Sequence, residues 1–291
     1  MKKTFPRFDM ARDPIRTQWY LKPITKLLSW PAVMAHRPNI TKIGTEGLEP
    51  PFILLFTREQ IREANVDEIN DRIVAAFQYD DFAWQKERGI RTTYPKRAEG
   101  LDKVLYQCPH CGTEYKMSSE GSELFCTHCG KRWEMTELGE LRALEGETEF
   151  SHIPDWYEWE RANVRKEVEE GRYSTGTLPV KVYSLPNAKR FIHLGEGAMV
   201  QDGSGFHVHG KDVDGDPFEM EIPVPSLYSC HIEYEYLGKY GDCVDLNTLT
   251  DTWYIYPHDC DFAVTKMALA TEELYFKHRR DIGKSCRPGL A

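Results

Sequence analysis

The sequence lacks any long apolar run, any leader-like start, and the basic surplus of a general nucleic-acid binder. No window of about 18 consecutive apolar residues occurs, so no membrane-spanning helix is expected. Two lysines follow Met1, but no apolar segment follows them, so no secretory signal is expected. Lys and Arg number 37 against 46 Asp and Glu, and the net charge of −9 disfavours sequence-independent binding to DNA or RNA. These absences predict a cytoplasmic protein.

The charge and the apolar residues are unevenly distributed along the chain. At 291 residues, 41% hydrophobic, the chain can bury more than one core. Residues 1–58 hold ten basic and four acidic residues, whereas residues 134–170 hold twelve acidic and four basic. The basic segment interleaves lysines with aromatic residues at Trp19, Lys22, Lys26 and Trp30. This pattern is typical of contact with an anionic membrane surface, and equally of a core helix with two exposed lysines. The first alternative predicts peripheral association at the inner membrane face.

Helical signals occur in three regions. The spacings Thr57-x-x-Gln60 and Asn65-x-x-Glu68 are those of capping boxes and predict helical structure over residues 57–88. A second helix is expected from residues 151–155 to Gly171, and a third over residues 262–280.

A period of two begins near residue 180. It predicts seven short strands, at residues 180–183, 191–194, 198–200, 206–209, 218–222, 230–234 and 252–256. Seven antiparallel strands and one closing helix suggest a pleckstrin-homology-like β-barrel. The predicted class is a multi-domain α+β protein with five segments. They are a basic N-terminal remnant at 1–56, a helical linker at 57–100, a zinc ribbon at 101–137, an acidic linker with an amphipathic helix at 138–178, and the β-rich domain with its C-terminal helix at 179–291.

The strongest motif is a pair of Cys-x-x-Cys-Gly turns, with fourteen residues between the second cysteine of the first turn and the first cysteine of the second. Its cysteines are Cys108, Cys111, Cys126 and Cys129. This spacing predicts four thiolates around one structural zinc ion, in a closed shell without an open position for catalysis. Iron in a rubredoxin-like site is the alternative metal. A disulfide framework is disfavoured because no export signal is present.

The roles of basic residues, histidines and further cysteines outside the four-cysteine set can also be predicted. Lys116, Lys131 and Arg132 would offset the negative charge of the zinc site, or would be ordinary exposed residues. His110 and His128 are expected at the surface. The remaining cysteines lack ligand spacing and are expected to be reduced thiols buried in the β-rich part: Cys230, Cys243, Cys260 and Cys286.

Several stretches resemble a family of bacterial lysophospholipid (1-acyl-sn-glycerol-3-phosphate) acyltransferases with a zinc-ribbon extension. The similar stretches are residues 20–23, 40–48, 94–101 and 150–160, together with both cysteine turns. In that family the strand similar to residues 52–55 leads into a catalytic Asn-His-x-x-x-x-Asp motif, whose His acts as general base. Here the strand leads into Phe56-Thr57-Arg58-Glu59, and the family's phosphate-binding Phe-Pro-Glu-Gly turn is also missing. The resemblance therefore implies a chain without the catalytic core and assigns no catalytic residue.

Three functions are compatible with this pattern. The preferred hypothesis is a non-catalytic accessory protein, with a zinc ribbon and a pleckstrin-homology-like domain, that binds a protein partner or a membrane surface. The first alternative is an acyltransferase of phospholipid synthesis, and the second is a zinc-ribbon nucleic-acid-binding protein, which the acidic residues at 134–170 disfavour. His207 and Asp212 have the spacing of the missing catalytic motif but fall in a predicted hairpin, so we interpret the match as chance.

Overall fold

The computed structural model describes residues 55–76, 78, 80–185, 190–235, 241–248 and 251–282. The chain has two compact units, Met1–Thr92 with Gly289–Ala291, and Thr93–Pro288. The predicted membrane-contact residues lie outside the described residues: Trp19, Lys22, Lys26 and Trp30. The predicted division into five segments concerns sequence boundaries and stays a prediction.

The described part of the first unit, from residue 55 onwards, contains three short helices, α1 (Arg58–Glu63), α2 (Val66–Ala76) and α3 (Asp81–Glu87). Both predicted capping boxes are present. The backbone N–H of Thr57 donates to Gln60 Oε1 at 2.8 Å, and the N–H of Gln60 donates to Thr57 Oγ1 at 3.3 Å. Asn65 and Glu68 exchange the same pair of bonds at 2.8 and 2.9 Å. The region forms separate helices because capping residues interrupt it: Thr57 and Asp80, which precede α1 and α3, adopt an extended, non-helical backbone.

The second unit begins with a small antiparallel sheet around the cysteine turns. A short helix, α4 (Leu101–Val104), precedes four strands, β1 (Met117–Glu120), β2 (Glu123–Cys126), β3 (Arg132–Met135) and β4 (Leu141–Ala143). The strands pair in chain order, β1-β2-β3-β4. We call residues 105–143 the ribbon. Leu124 and Trp133 face each other across β2 and β3 and are fully buried, so this small sheet has an apolar centre of its own.

Two longer helices, α5 (Ile153–Glu169) and α6 (Val264–Asp281), join the ribbon to the rest of the unit. The sequence predicted both helices, and both are confirmed. Their buried side chains share one core with a tyrosine of the ribbon: Tyr106, Val164, Val168, Leu269, Ala270 and Leu274. The ribbon and the helices therefore exclude water together. Among the described helices, none has both the length and the apolar composition needed to cross a membrane.

The β-rich part is a curled antiparallel sheet that forms half a barrel. Its strands are β5 (Leu178–Ser184), β6 (Ile192–Asp202), β7 (Gly205–Asp212), β8 (Pro217–Pro223), β9 (His231–Glu233), β10 (Cys243–Asn247) and β11 (Thr252–Pro257). Their order is β8-β7-β6-β5-β11-β10-β9. Val264 and Met267 of α6 pack into the apolar core of this sheet, as the predicted closing helix would. The described strands form an open sheet, so a closed barrel stays a proposal.

Among the described residues of the β-rich part, the number of strands agrees with the prediction, but the residues that form them differ. Two predicted strands, 191–194 and 198–200, are one continuous strand, β6, and β10 was not predicted. Glycines in β6 suggested a turn, yet here they allow close strand pairing: a Cβ at Gly197 would lie 2.0 Å from the backbone oxygen of His209. The sequence did not predict strand β10, because a charged residue at its centre, the buried Asp245, interrupts the apolar pattern on which strand prediction depends.

Candidate metal centre

The two cysteine turns of the ribbon have the same backbone geometry. The N–H of Gly112 donates to the carbonyl of Cys108 at 2.8 Å, and the N–H of Gly130 donates to the carbonyl of Cys126 at 2.9 Å. The two glycines have φ angles of 74° and 78°, in the left-handed region that residues with a Cβ rarely adopt. Each turn therefore requires glycine after its second cysteine, as the motif indicated.

These turns bring the four sulfurs together. The Sγ atoms of Cys108 and Cys129 are 3.8 Å apart, and those of Cys111 and Cys126 are also 3.8 Å apart. All four lie within 4.8 Å of one another. In a tetrahedral site with metal–sulfur bonds of about 2.3 Å, sulfurs are separated by about 3.8 Å. A disulfide would need about 2.0 Å, so these four thiols fit one metal ion rather than two disulfides.

The four sulfurs differ in burial and electrostatics. Cys108 and Cys126 are buried, whereas Cys111 and Cys129 are exposed. Burial raises the pKa of the Cys108 thiol, against the opposing effect of backbone N–H groups of Cys111 and His110. Burial also acts on Cys111, but hydrogen bonding to Thr113 outweighs it and lowers the pKa of this thiol to about 6. Metal binding to such a set releases protons, so affinity rises with pH.

The basic residues near the site are engaged with other groups. Lys116 Nζ lies 2.7 Å from Asp261 Oδ2, and Arg132 Nε lies 2.7 Å from Glu123 Oε2. Lys131 donates to the carbonyls of Glu145 and Glu147 at 2.8 and 2.7 Å. Each of these cations therefore holds a neighbouring segment of the chain.

Both histidines of the cysteine turns are exposed, as predicted. His110 Nδ1 lies 3.1 Å from Glu149 Oε1, so this imidazole contacts the segment that follows β4. Cys230 and Cys243 are buried reduced thiols, as predicted, and Cys260 is partly buried. Cys286 lies outside the described residues.

A part of the site that the sequence did not predict is the attachment of Gln107, which directly precedes Cys108. Three side chains of α5 hold it. Trp156 Nε1 donates to the Gln107 carbonyl at 2.9 Å, Glu160 Oε1 accepts its backbone N–H at 2.8 Å, and Asn163 Nδ2 donates to its side-chain oxygen at 2.8 Å. We call these three contacts the Gln107 clamp. They fix the entry to the first cysteine turn.

Glu160 is fully buried within this clamp. Burial raises the pKa of its carboxyl well above the ordinary value, against the opposing effect of N–H groups of Gln107 and Tyr106. The pKa of Glu160 is higher in the folded protein than in the unfolded chain, so the folded state favours the protonated carboxyl. The contribution of this group to the free energy of unfolding is fully present below the unfolded pKa, and it is lost as the pH rises through the folded pKa.

We therefore expect Glu160→Gln to flatten the decline of stability with pH. In metal-loaded protein, urea unfolding at a series of pH values from about 6 to about 9 should show the variant more stable at the alkaline end, by on the order of 1 kcal/mol. The control is Glu158→Gln on the same helix, where the side chain is 61% exposed and should change little. A parallel pH profile for wild type and Glu160→Gln would contradict the assignment.

His207 and Asp212 do not form a pair. Both lie on β7, five positions apart, so their side chains leave opposite faces of the strand about 17 Å apart along it. Asp212 Oδ1 accepts the backbone N–H groups of Asp214 and Asp216, each at 2.9 Å, and so closes a turn. The match to the acyltransferase spacing is therefore local coincidence in the described fold.

A serine, Ser204, also lies next to His207 and is bonded to a carboxylate. Ser204 Oγ lies 2.6 Å from His207 Nε2, but it also lies 2.5 Å from Asp202 Oδ1. The carboxylate of Asp202 cannot donate a hydrogen bond, so it competes with His207 Nε2 for the single hydroxyl proton, and His207 Nδ1 lies against a second carboxylate, that of Glu221. The backbone N–H of Ser204 is bonded to Asp202 as well, at 2.8 Å. This arrangement ties Ser204 and His207 into the hairpin of β6 and β7.

Comparison with known proteins adds no relative. No family model, no curated protein and no solved structure matches this chain. The similarity to acyltransferases rests on the sequence motifs alone and stays a prediction.

Proposed function

We propose that Cys108, Cys111, Cys126 and Cys129 bind one structural zinc ion, and that the chain is a non-catalytic accessory protein built around this ribbon. The observation that carries the proposal is the 3.8 Å spacing of the two sulfur pairs. Four thiolates fill a tetrahedral shell, so no position remains for water or substrate. The ion would then act on folding rather than on chemistry.

Metal analysis tests the identity of the ion. Protein produced with both zinc and iron available should retain one zinc ion per chain after dialysis against a weak chelator. A thiol-blocking reagent should release that ion. A red protein that contains one iron ion per chain instead would show that the site is the rubredoxin-like alternative. Protein without any chelator-resistant metal would contradict the ribbon site itself.

The accessory role includes contact with an anionic membrane surface through the basic N-terminal segment. Its support is the sequence pattern at residues 19–30, where two lysines alternate with large apolar side chains. The same proposal has two further parts. The chain derives from an acyltransferase that has lost its catalytic core, and the curled sheet is a pleckstrin-homology-like domain. A protein partner is the alternative target of this segment.

Flotation with vesicles tests the membrane contact. Wild-type protein should float with vesicles rich in anionic lipid and not with neutral ones, and high salt should reduce the effect. The double variant Lys22→Glu, Lys26→Glu should lose flotation. A charge-matched control, Lys86→Glu with Lys211→Glu, should retain it. Equal loss in both variants would indicate net charge alone, and no flotation of wild type would shift the proposal to a protein partner.

The non-catalytic character has its own test. Purified metal-loaded protein should transfer no acyl group from a thioester donor to lysophospholipids. The His207→Ala variant should behave identically. Transfer that disappears in this variant would overturn the non-catalytic role.

A further inference from the structure

A second cluster of ligating side chains lies on the curled sheet, away from the ribbon in the chain. Strands β9 and β10 pair antiparallel with His231 opposite Asp245 and Glu233 opposite Cys243. Residues two apart on a strand face the same side, so His231, Glu233 and Asp245 share one face. Ligand atoms from these three residues lie within 4.8 Å of one another.

The backbone that carries the cluster is anchored from the other side. Ile232, between the two β9 ligands, is 3% exposed, and Val244 and Leu246, which flank Asp245, are 0% and 1% exposed. All three belong to the apolar core of the sheet. The three polar residues are therefore presented by a rigid ladder rather than by a loop, which favours a fixed ligand geometry.

Asp245 orients the imidazole of His231. Its Oδ2 lies 2.5 Å from His231 Nδ1, and the residue is only 6% exposed. A carboxylate at this distance holds a proton on Nδ1 and so directs the lone pair of the neutral ring to Nε2. Histidines that bind metals characteristically donate their other ring N–H to such a carboxylate.

The second ring nitrogen of His231, Nε2, faces Glu233. His231 Nε2 and Glu233 Oε1 are 3.5 Å apart, beyond the usual range of an N–H···O hydrogen bond. Two ligands of one zinc-sized ion, each about 2.1 Å from the metal, are separated by about 3.4 Å at a tetrahedral angle. The separation of these two atoms is therefore close to that of two ligands of one such ion.

We propose that His231 and Glu233 bind a divalent transition-metal ion at a second site, with Asp245 as the residue that positions the imidazole. One imidazole and a carboxylate suit ions of the zinc class rather than calcium or magnesium, which prefer all-oxygen shells. The side chains of His231 and Glu233 are 36% and 34% exposed, so the remaining coordination positions are open to water or to an oxygen of a bound ligand. This site differs from the closed thiolate shell of the ribbon.

Zinc titration of the full chain tests the second site. After removal of weakly bound metal, wild-type protein should take up one further zinc ion per chain, and His231→Gln should not. The matched control is His258→Gln, since His258 Nδ1 also lies 2.9 Å from a carboxylate, that of Asp259, outside the cluster. This control should bind zinc like wild type. No additional uptake by wild type, or unchanged uptake by His231→Gln, would overturn the proposal.

Cobalt(II) separates the two sites, so that failure of one is not mistaken for failure of the other. Thiolate ligands at the ribbon give intense sulfur-to-metal charge-transfer absorption, whereas nitrogen and oxygen ligands do not. The second equivalent of cobalt should add only weak visible bands, and these should vanish in His231→Gln. Glu233→Gln, which removes a ligand but leaves the Asp245–His231 pair intact, should weaken binding at least tenfold and decides the matter if His231→Gln fails to fold.

Discussion

Replacement of Cys126 by serine is expected to abolish tight metal binding and to unfold the ribbon. The substitution removes one of four thiolates, and its sulfur lies at the end of a strand, 3.8 Å from that of Cys111. Metal binding contributes on the order of 10 kcal/mol to small structural zinc modules, a value comparable to the total stability of many domains. Metal content after dialysis and thermal unfolding should both show the loss.

The matched control is Cys260→Ser, which changes a partly buried thiol outside the sulfur cluster. It should retain metal and change the melting temperature little. Unchanged metal stoichiometry in Cys126→Ser would show that the ligand assignment is wrong.

The unfolding caused by Cys126→Ser should extend beyond the ribbon. In the structure, the ribbon tyrosine Tyr106 shares a core with α5 and α6, whereas the sheet has a separate apolar core. Hydrogen exchange should therefore accelerate in the ribbon and in α5, and should stay slow in β5 and β11.

Trp156→Ala is expected to have the second largest effect. The indole is fully buried, its ring centroid lies 5.0 Å from that of Trp133, and its N–H is part of the Gln107 clamp. Truncation of a buried tryptophan costs about 3–5 kcal/mol, and here it also releases the residue before Cys108. Chemical unfolding should show the loss of stability, and competition with a chelator should show weaker metal binding.

Two variants separate the contributions of this tryptophan. Trp156→Phe keeps an aromatic ring but removes the N–H donor, and should cost about 1 kcal/mol from the hydrogen bond together with a smaller packing loss. Trp159→Ala truncates a half-buried tryptophan of the same helix that packs on Phe150, and should cost less than Trp156→Ala. Equal effects of Trp156→Ala and Trp159→Ala would show that the clamp has no special role.

Features that depend on neighbours in the chain were predictable. The cysteine turns need two thiols and a glycine within five residues, and the capping boxes need two side chains three residues apart. Helices α5 and α6 follow from apolar residues at three- and four-residue steps, because this period matches the helical turn. The four cysteines of the ribbon and most strands therefore lie where the sequence indicates.

Features that depend on the approach of distant segments were not predictable. In the Gln107 clamp, three residues of α5 bond to a residue that precedes them in the chain by 49, 53 and 56 positions. The continuity of β6 depends on how closely β7 approaches Gly197, and the cluster of His231 with Asp245 depends on the register of β9 against β10. The short-range periodicity of the sequence does not specify any of these contacts between distant segments.

The sequence by itself determined the two cysteine turns of the ribbon, the existence of helices α5 and α6 and the antiparallel character of the β-rich part, because short-range sterics and periodicity specify them. Only the tertiary structure decided that the ribbon is packed into the core of α5 and α6, and that β9 and β10 bring an imidazole and two carboxylates together. The physical reason is that such contacts are selected by the joint burial of apolar surface from remote segments, which no single stretch of chain contains.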